Sequence, residues 1–404
     1  MEKEHQKILI LGAGYAGLQV ALELSRQGYQ SILLDKSEFH ELKPELPHLL
    51  NRKRLKTKIP LKSLTKDKKI KLIFGQADLI NYQEKEVALV SGEKIKFDYL
   101  VLALGSEANY YNIPGLKENA LILLETEQAE AYVKQIEINF AQAKNLAKND
   151  PDRAKVLTFV IGGGGLTGVE VASEMGYLIP KLLKKYPEID EQEVKVYLIE
   201  GMKSLLPGTE ENLSKKIEDF FKKKQSNVSL ILNTFIKEVK ENEVILSNQQ
   251  KIVTKSILWT GGIKGSSFLE KEFINLLGER ENFILSRGSR LEVDQFFRVK
   301  DSEHTFAIGD IAVYKDPQTR QQIPPNGQIA CKQGKLVAQN IIRLIKQEEL
   351  VYKEIRMQGV LVSLGPNSGS GIIYDPVKLE LPLGFVSRKI KALVEARYKY
   401  FDIA

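Results

Sequence analysis

Six glycines in two identical spacings carry the clearest chemistry in this chain. Gly12-x-Gly14-x-x-Gly17 follows Lys7-Ile8-Leu9-Ile10-Leu11, and Gly163-x-Gly165-x-x-Gly168 follows Leu157-Thr158-Phe159-Val160-Ile161. Each fingerprint closes a short apolar run and opens an amphipathic one. The pattern asks for glycine three times: to make a tight turn, to let backbone approach a pyrophosphate, and to let a helix press on a sheet. The diphosphate then rests at a helix N-terminus, where free N–H groups and the dipole favour negative charge. Either match alone is weak, because glycine-rich turns are common. Two in strand–turn–helix context imply two dinucleotides, and a protein holding two most often passes a hydride between them.

The elements that must position these turns can be read around them. Residues 7–11 and 31–35 read as parallel strands joined by a helix from Ala16 to Arg26, with Asp35 ending the second strand. A carboxylate there can accept hydrogen bonds from ribose hydroxyls. The second unit repeats this plan. Its helix runs from about Leu166 to Tyr186, and its second strand, Lys195 to Ile199, ends in Glu200. Glu200 repels a 2′-phosphate and so favours NADH over NADPH, with Lys203 nearby acting against that preference. Residues 70–104 read as a β-meander, 211–224 as a helix, 303–310 as a strand, and Leu336 to Ile345 as part of an amphipathic helix. The polar stretch 135–153, broken at Asp150-Pro151, reads as a surface elaboration.

Further motifs lie between and after the fingerprints. Leu104-Gly105-Ser106 with Ile113-Pro114-Gly115, and Trp259-Thr260-Gly261-Gly262, resemble the chain crossovers of two-dinucleotide flavoproteins. Thr305-Phe306-Ala307-Ile308-Gly309-Asp310 resembles their second flavin motif. Over residues 7–345 the chain therefore resembles the pyridine nucleotide–disulfide reductase-like flavoproteins. Among these it is most similar to the type II NADH dehydrogenases, the non-pumping NADH:quinone oxidoreductases. Gly168-Val169-Glu170-Val171-Ala172-Ser173-Glu174 and the long helix through Leu182 to Pro187 carry that likeness. So does Pro324-Pro325-Asn326-Gly327-Gln328-Ile329-Ala330-Cys331-Lys332-Gln333-Gly334, which keeps Gln328, Ala330 and Gln333 of the quinone segment but has Gly327 and Lys332 where the family has alanine and glutamine.

The resemblance implies an α/β fold of two Rossmann-like domains, the second inserted into the first. Residues 1–119 and 298–345 would hold FAD, 120–297 would hold NADH (NADPH possible), and 346–404 would form a C-terminal region for a membrane surface or a dimer. It implies FAD on Gly12, Gly14, Gly17, Asp35 and Asp310, and NADH on Gly163, Gly165, Gly168 and Glu200. Ala16, Lys36, Gly105, Gly262, Gly309, Gln328 and Ile329 complete the cofactor set. Glu170, Gln328, Lys332 and Lys391 are the implied catalytic residues, with a quinone of menaquinone, plastoquinone, ubiquinone or phylloquinone type as acceptor. Three alternatives stay open: a reductase of a biosynthetic quinone such as demethylphylloquinone using NADPH, a ferredoxin or rubredoxin reductase, and a non-catalytic FAD/NADH redox sensor. Simpler accounts also exist for single residues. Glu170 suits a helix's first turns by dipole physics alone, Asp310 suits a helix N-cap, and Gln328 suits a satisfied core amide.

Bulk properties narrow the class. The 404 residues are 43% hydrophobic and 27% charged, a soluble globular balance. No apolar run approaches the roughly 18 residues of a membrane span, and Met1-Glu2-Lys3-Glu4 does not open a secretory signal. The single cysteine, Cys331, excludes an intrachain disulfide and with it the dithiol chemistry of disulfide reductases. His5, His40, His48 and His304 show no metal-ligand spacing, so no metal is expected. The net charge of +7 is concentrated between Arg52 and Lys71 and at Arg388, Lys389, Lys391, Arg397 and Lys399. Without interleaved aromatics these clusters fit a membrane surface better than nucleic acid. In the tail, Val386, Ile390, Leu393, Val394, Tyr398 and Phe401 share one helical face and the basic residues fall mostly elsewhere, as in a monotopic anchor. The expected location is the cytoplasmic side of a membrane, peripherally bound, with a homodimer possible.

Overall fold

The computed structural model describes residues 6–403 apart from 53, 226, 277–284, 287, 301, 318–321 and 376. Two five-stranded parallel sheets dominate it, and they share one plan. In the first, Ile8–Leu11 is central, with Ser31–Asp35 and then Ile70–Phe74 on one side and Tyr99–Leu102 and then Thr305–Ala307 on the other. In the second, Thr158–Gly162 is central, with Lys195–Ile199 and Val228–Ile231 on one side and Ser256–Trp259 and Leu121–Ile122 on the other. The central strands and the Tyr99–Leu102 and Ser256–Trp259 strands are buried end to end. That burial explains why they read as continuous apolar runs rather than alternating ones.

Each unit inserts a three-stranded antiparallel meander, 77–96 between Ile70–Phe74 and Tyr99–Leu102 in the first and 236–253 between Val228–Ile231 and Ser256–Trp259 in the second. The expected meander over 70–104 is therefore corrected. Ile70–Phe74 is the edge strand of the parallel sheet and Tyr99–Leu102 an interior one. Alternation alone does not tell a half-exposed edge strand (Lys71 points to solvent) from a meander strand. The 135–153 stretch is also corrected. Thr126–Lys144 is a helix that buries Tyr132, Ile136, Phe140 and Ala143, in the core of the second unit. Only the other face of this helix is polar. Asp150 caps the short helix Pro151–Val156 by accepting from the Asp152 N–H at 2.8 Å.

The two crossovers lie side by side, Ser106–Ala108 pairing antiparallel with Ile263–Gly265. Trp259 pins them by donating its indole N–H to the Asn109 carbonyl at 2.8 Å. After Thr305–Ala307 the chain makes a 3-10 turn, Gly309–Ile311, so the expected strand 303–310 is shorter than its apolar run. The helix Gly327–Ile345 starts a full turn or more before the Leu336 stripe and packs on the first fingerprint helix, Tyr15–Arg26. A Cβ on Gly334 would lie 2.5 Å from the Ala16 carbonyl, so glycine there sets how closely the helices approach.

The C-terminal region is a three-stranded antiparallel sheet, Gly359–Ser363, Gly369–Ile373 and Leu379–Gly384, followed by the helix Phe385–Arg397. Its orientation reverses the usual amphipathic logic. Ser387, Arg388 and Lys391 face inward, whereas Phe385, Val386, Leu393, Val394 and Tyr400 face outward, Leu393 being 70% exposed. Arg388 and Lys391, expected on the surface, are instead buried. The side chain of Phe401, which the sequence puts on the same apolar face, lies outside the described residues. Among the described residues no helix is long and apolar enough to cross a membrane.

Candidate active site

The two fingerprint turns are near copies of one another. Gly12 and Gly163 sit at φ +103° and +106°, where an L side chain is strained. A Cβ on Gly17 would fall 1.9 Å from the Gly12 carbonyl oxygen, and one on Gly168 the same distance from that of Gly163. By contrast, a Cβ on Gly14 or Gly165 would meet nothing within 4 Å. These middle glycines are the N-caps of the helices Tyr15–Arg26 and Leu166–Lys185, and neither cap is closed by a side chain. The first glycine makes the turn, the third lets the helix approach, and the second leaves open space beside unpaired helix N–H groups. Those residues fit a dinucleotide diphosphate at each turn.

Each turn has its carboxylate. Asp35 accepts from the Ala13 N–H at 2.6 Å and the Ser37 N–H at 2.7 Å. Glu200 accepts from the Gly164 N–H at 2.6 Å and the Met202 N–H at 2.8 Å. The backbone so fixes both carboxylates at strand ends beside their fingerprints, where a ribose would lie. Burial pushes the Asp35 carboxyl up, and the Ala13 and Ser37 amides oppose that shift. Lys36, next to Asp35, is exposed.

A second group of expected cofactor residues gathers at the first turn. Gly309, at φ +73°, donates its N–H to Gln333 Oε1 at 2.7 Å, and a Cβ there would lie 3.3 Å from that of Ala16. Asp310 accepts from the Ser106 hydroxyl at 2.7 Å, which ties the crossover next to Gly105 to the second flavin motif. Asp310 does not cap the long helix. Asn326 does, accepting from the Gln328 N–H at 2.7 Å, and the turn holding Asp310 leads into the strand Ala312–Val313. The simple-cap account of Asp310 is thereby removed. Gly262, on the return crossover, faces the Tyr111 hydroxyl. Ile329 is core. Gln328 donates to the Gly359 carbonyl at 3.4 Å, while its buried Oε1 has no partner among the described residues, unlike a satisfied core amide. Lys332 donates to the Arg356 carbonyl at 2.7 Å, and burial lowers its pKa. Cys331 packs under Tyr15, and burial pushes its thiol up to about 12, the setting of an inert thiol.

The third group joins three segments that the sequence keeps apart. Glu170 Oε1 accepts from the Ser363 N–H at 2.8 Å and forms a close ion pair with Lys391 of the C-terminal helix. One helical turn on, Glu174 accepts from His48 Nδ1 at 2.8 Å and from the Asn51 side chain at 2.6 Å. The 3-10 segment Lys43–Leu50, which carries His48, packs against the second fingerprint helix through Leu46, Leu49 and Leu50. Glu395 lies 3.6 Å from Lys391 and 3.7 Å from Arg388. Glu170 and Lys391, both expected catalytic residues, are therefore in contact. A cavity of about 390 Å³ lined by Gly176, Tyr177, Phe220, Lys224, Gln225 and Leu383 includes none of the expected site residues.

The tail also reaches the first turn. His40 faces the Ala13 carbonyl through Nδ1 at 2.9 Å and the Tyr398 hydroxyl through Nε2 at 2.9 Å. Tyr398 stacks on Tyr15 with centroids 4.5 Å apart.

A family model described as pyridine nucleotide-disulphide oxidoreductase matches residues 6–334, the span that holds both fingerprints and both crossovers. The chain belongs to this family. Among its relatives, a Type II NADH:quinone oxidoreductase from Staphylococcus haemolyticus is 28% identical over 386 residues, covering 93% of this chain and 91% of the relative. NDH2 from Plasmodium falciparum, solved in complex with NADH, shares the fold with a TM-score of 0.82 at 18% identity, covering 99% of each chain. The sulfide:quinone oxidoreductase of Aquifex aeolicus shares it with a TM-score of 0.79 at 19% identity, covering 98% of this chain and 91% of that one. With Cys331 as its only cysteine, this member of the family has no dithiol of its own. Sequence reasoning missed the contacts of His40, His48 and Glu395. The one usable signal was Glu174, which shares a helical face with Glu170 at i,i+4.

Proposed function

We propose that this chain is an FAD-dependent NADH:quinone oxidoreductase of the type II, non-pumping kind, working at a membrane surface. The pair of matched fingerprint turns, each with an open central glycine and a backbone-held carboxylate, carries the reading. FAD, when bound, supplies the two-electron step between NADH and quinone. The chain's residues bind and orient. Gly12, Gly14, Ala16 and Gly17 hold the flavin diphosphate at the start of Tyr15–Arg26, Asp35 the ribose, and Asp310 with Ser106 the chain beyond. Gly163, Gly165 and Gly168 hold the NADH diphosphate, and Glu200 its ribose. Residues 1–119 and 298–345 form the FAD unit, 120–297 the NADH unit, and 346–404 the cover. Glu170 and Lys391, with Gln328 and Lys332 at the start of Gly327–Ile345, line the way to the quinone.

The membrane surface is argued from the C-terminal helix. Its outward apolar stripe, Phe385, Val386, Leu393 and Val394, is flanked by the exposed cations Lys389 and Arg397. Lys389 lies 5.0 Å over the Phe385 ring. A lipid interface takes both the stripe and its cations.

The test uses the full chain loaded with FAD. Anaerobic NADH should bleach the flavin spectrum and a soluble quinone restore it. Anionic liposomes should retain the wild type and release Leu393→Glu, with both proteins monomeric in size-exclusion chromatography. Bleaching without restoration by any quinone overturns the activity. A dimer that Leu393→Glu dissociates, without liposome binding, overturns the membrane assignment.

A further inference from the structure

Reducing a quinone takes more than a hydride. In NADH + H⁺ + quinone → NAD⁺ + quinol, NADH brings two electrons and one proton, and the second proton comes from water. On the function proposed above, that proton must reach Glu170 and Lys391, which are only 4% and 7% exposed.

Behind this pair lies a row of titratable groups held by two elements, the C-terminal helix and the 3-10 segment Lys43–Leu50. From Lys391 Nζ it is 3.6 Å to Glu395 Oε1, and from there 3.9 Å to His48 Nε2. Glu45 completes the row, with a carboxylate oxygen of its own, a ring nitrogen of His48 and a Glu395 oxygen all within 4.8 Å of one another. Glu45 is half-buried and so meets solvent. His48 Nε2, Glu45 Oε2 and Glu395 Oε1 are all buried without a hydrogen-bond partner among the described residues, and so are the three guanidinium nitrogens of Arg388. Buried polar atoms are rarely left unpaired, and donors and acceptors mixed at these separations are what single waters bridge.

We propose that Glu45, His48, Glu395 and Lys391 form a water-bridged proton relay that delivers the second proton of quinone reduction to Glu170. Glu174 fixes the relay's geometry by holding His48 Nδ1, which turns Nε2 toward Glu395. The charges around His48 and Glu45 come from every element packed on them: Glu174, Glu395, Glu170 and Lys391 act on His48, and Glu395, Arg388 and Arg52 act on Glu45. Burial alone lowers the pKa of His48, but the Glu174, Glu395 and Glu170 carboxylates outweigh it and raise the pKa overall. Burial and the neighbouring Glu395 raise that of Glu45. Both shifts move these groups toward the range in which a proton is exchanged at neutral pH. Two carboxylates and an imidazole at this spacing also suggest a divalent cation. The ammonium of Lys391 and the guanidinium of Arg388, 3.6 Å and 3.7 Å from Glu395, place two fixed positive charges against one.

The experiment separates the half-reactions of the FAD-loaded full chain by stopped flow: reduction by NADH, which needs no proton from water, and reoxidation by a soluble quinone. Glu395→Gln should slow reoxidation by about 100-fold, the low end of a proton-transfer contribution, and leave reduction by NADH at the wild-type rate. It should also raise the D₂O isotope effect on reoxidation and change its pH profile. Glu45→Gln, at a half-exposed position with no protein hydrogen bond to Oε2, should act in the same direction. Wild-type reoxidation rates and pH profiles in both variants overturn the relay, as does an equal loss in both half-reactions. A wild type that no quinone reoxidises overturns the proposed function instead.

Discussion

Changing Gly165 and Gly168 to alanine should give opposite phenotypes from positions three residues apart. At Gly168 the added methyl would sit 1.9 Å from the Gly163 carbonyl oxygen and 2.7 Å from Thr260 Oγ1. Backbone lies on the near side, so helix and turn must move apart by more than an ångström. Overpacking of this kind costs about 1–3 kcal/mol or more. At about 2–4 °C per kcal/mol for a unit of this size, Gly168→Ala should melt some 2–12 °C below wild type. At Gly165 the backbone is ordinary for an L residue, φ −71° and ψ −173°, and the methyl meets nothing within 4 Å. Folding stability should stay within about 0.5 kcal/mol. The methyl does, however, occupy the path by which a diphosphate reaches the helix N–H groups. Loss of one or two charge-assisted hydrogen bonds at about 1.5–3 kcal/mol each should weaken NADH at least about tenfold. Scanning calorimetry of the ligand-free proteins and NADH titration of the FAD-loaded ones check both halves. An unchanged NADH affinity in Gly165→Ala, or a wild-type melting temperature in Gly168→Ala, would refute the division of labour among the glycines.

Glu200→Gln removes the charge that a 2′-phosphate would meet, so the preference for NADH over NADPH should narrow by about tenfold. Steady-state kinetics with both nucleotides test this, and a wild type that already uses them equally would sink the role of Glu200. His40 should set an acid limit on stability. Burial lowers its pKa from 6.5 to about 4, so the folded state keeps it neutral. That contribution is complete above about pH 6.5 and falls as the pH drops toward 4, at about 1.4 kcal/mol per pH unit, or roughly 3 kcal/mol in all. Urea unfolding across this range should give a flatter slope in His40→Gln than in wild type. Equal slopes would mean that His40 is protonated in the folded protein.

Sequence alone determined the two nucleotide units. Short-range sterics fix a glycine turn, and a strand buried on both faces must be apolar throughout, so Gly12 to Asp35 and Gly163 to Glu200 could be placed before any contact was known. The crossovers at Gly105 and Gly262 were legible through the resemblance of their motifs to a known family rather than through local sterics, and the 3-10 turn at Gly309 fell inside the strand expected over 303–310. Tertiary structure decided which face of the tail points inward. The periodicity of Val386, Ile390, Leu393 and Val394 shows that a stripe exists, but an apolar stripe carries no information about whether it turns toward the rest of the molecule or away from it. Here the inward face is polar because groups from segments far away in the chain meet it: Glu170 binds Lys391, and His48, held by Glu174, faces Glu395, which in turn lies beside Arg388. No local pattern encodes that match. A buried charge is tolerated only where its partner already waits, and folding brings those partners together.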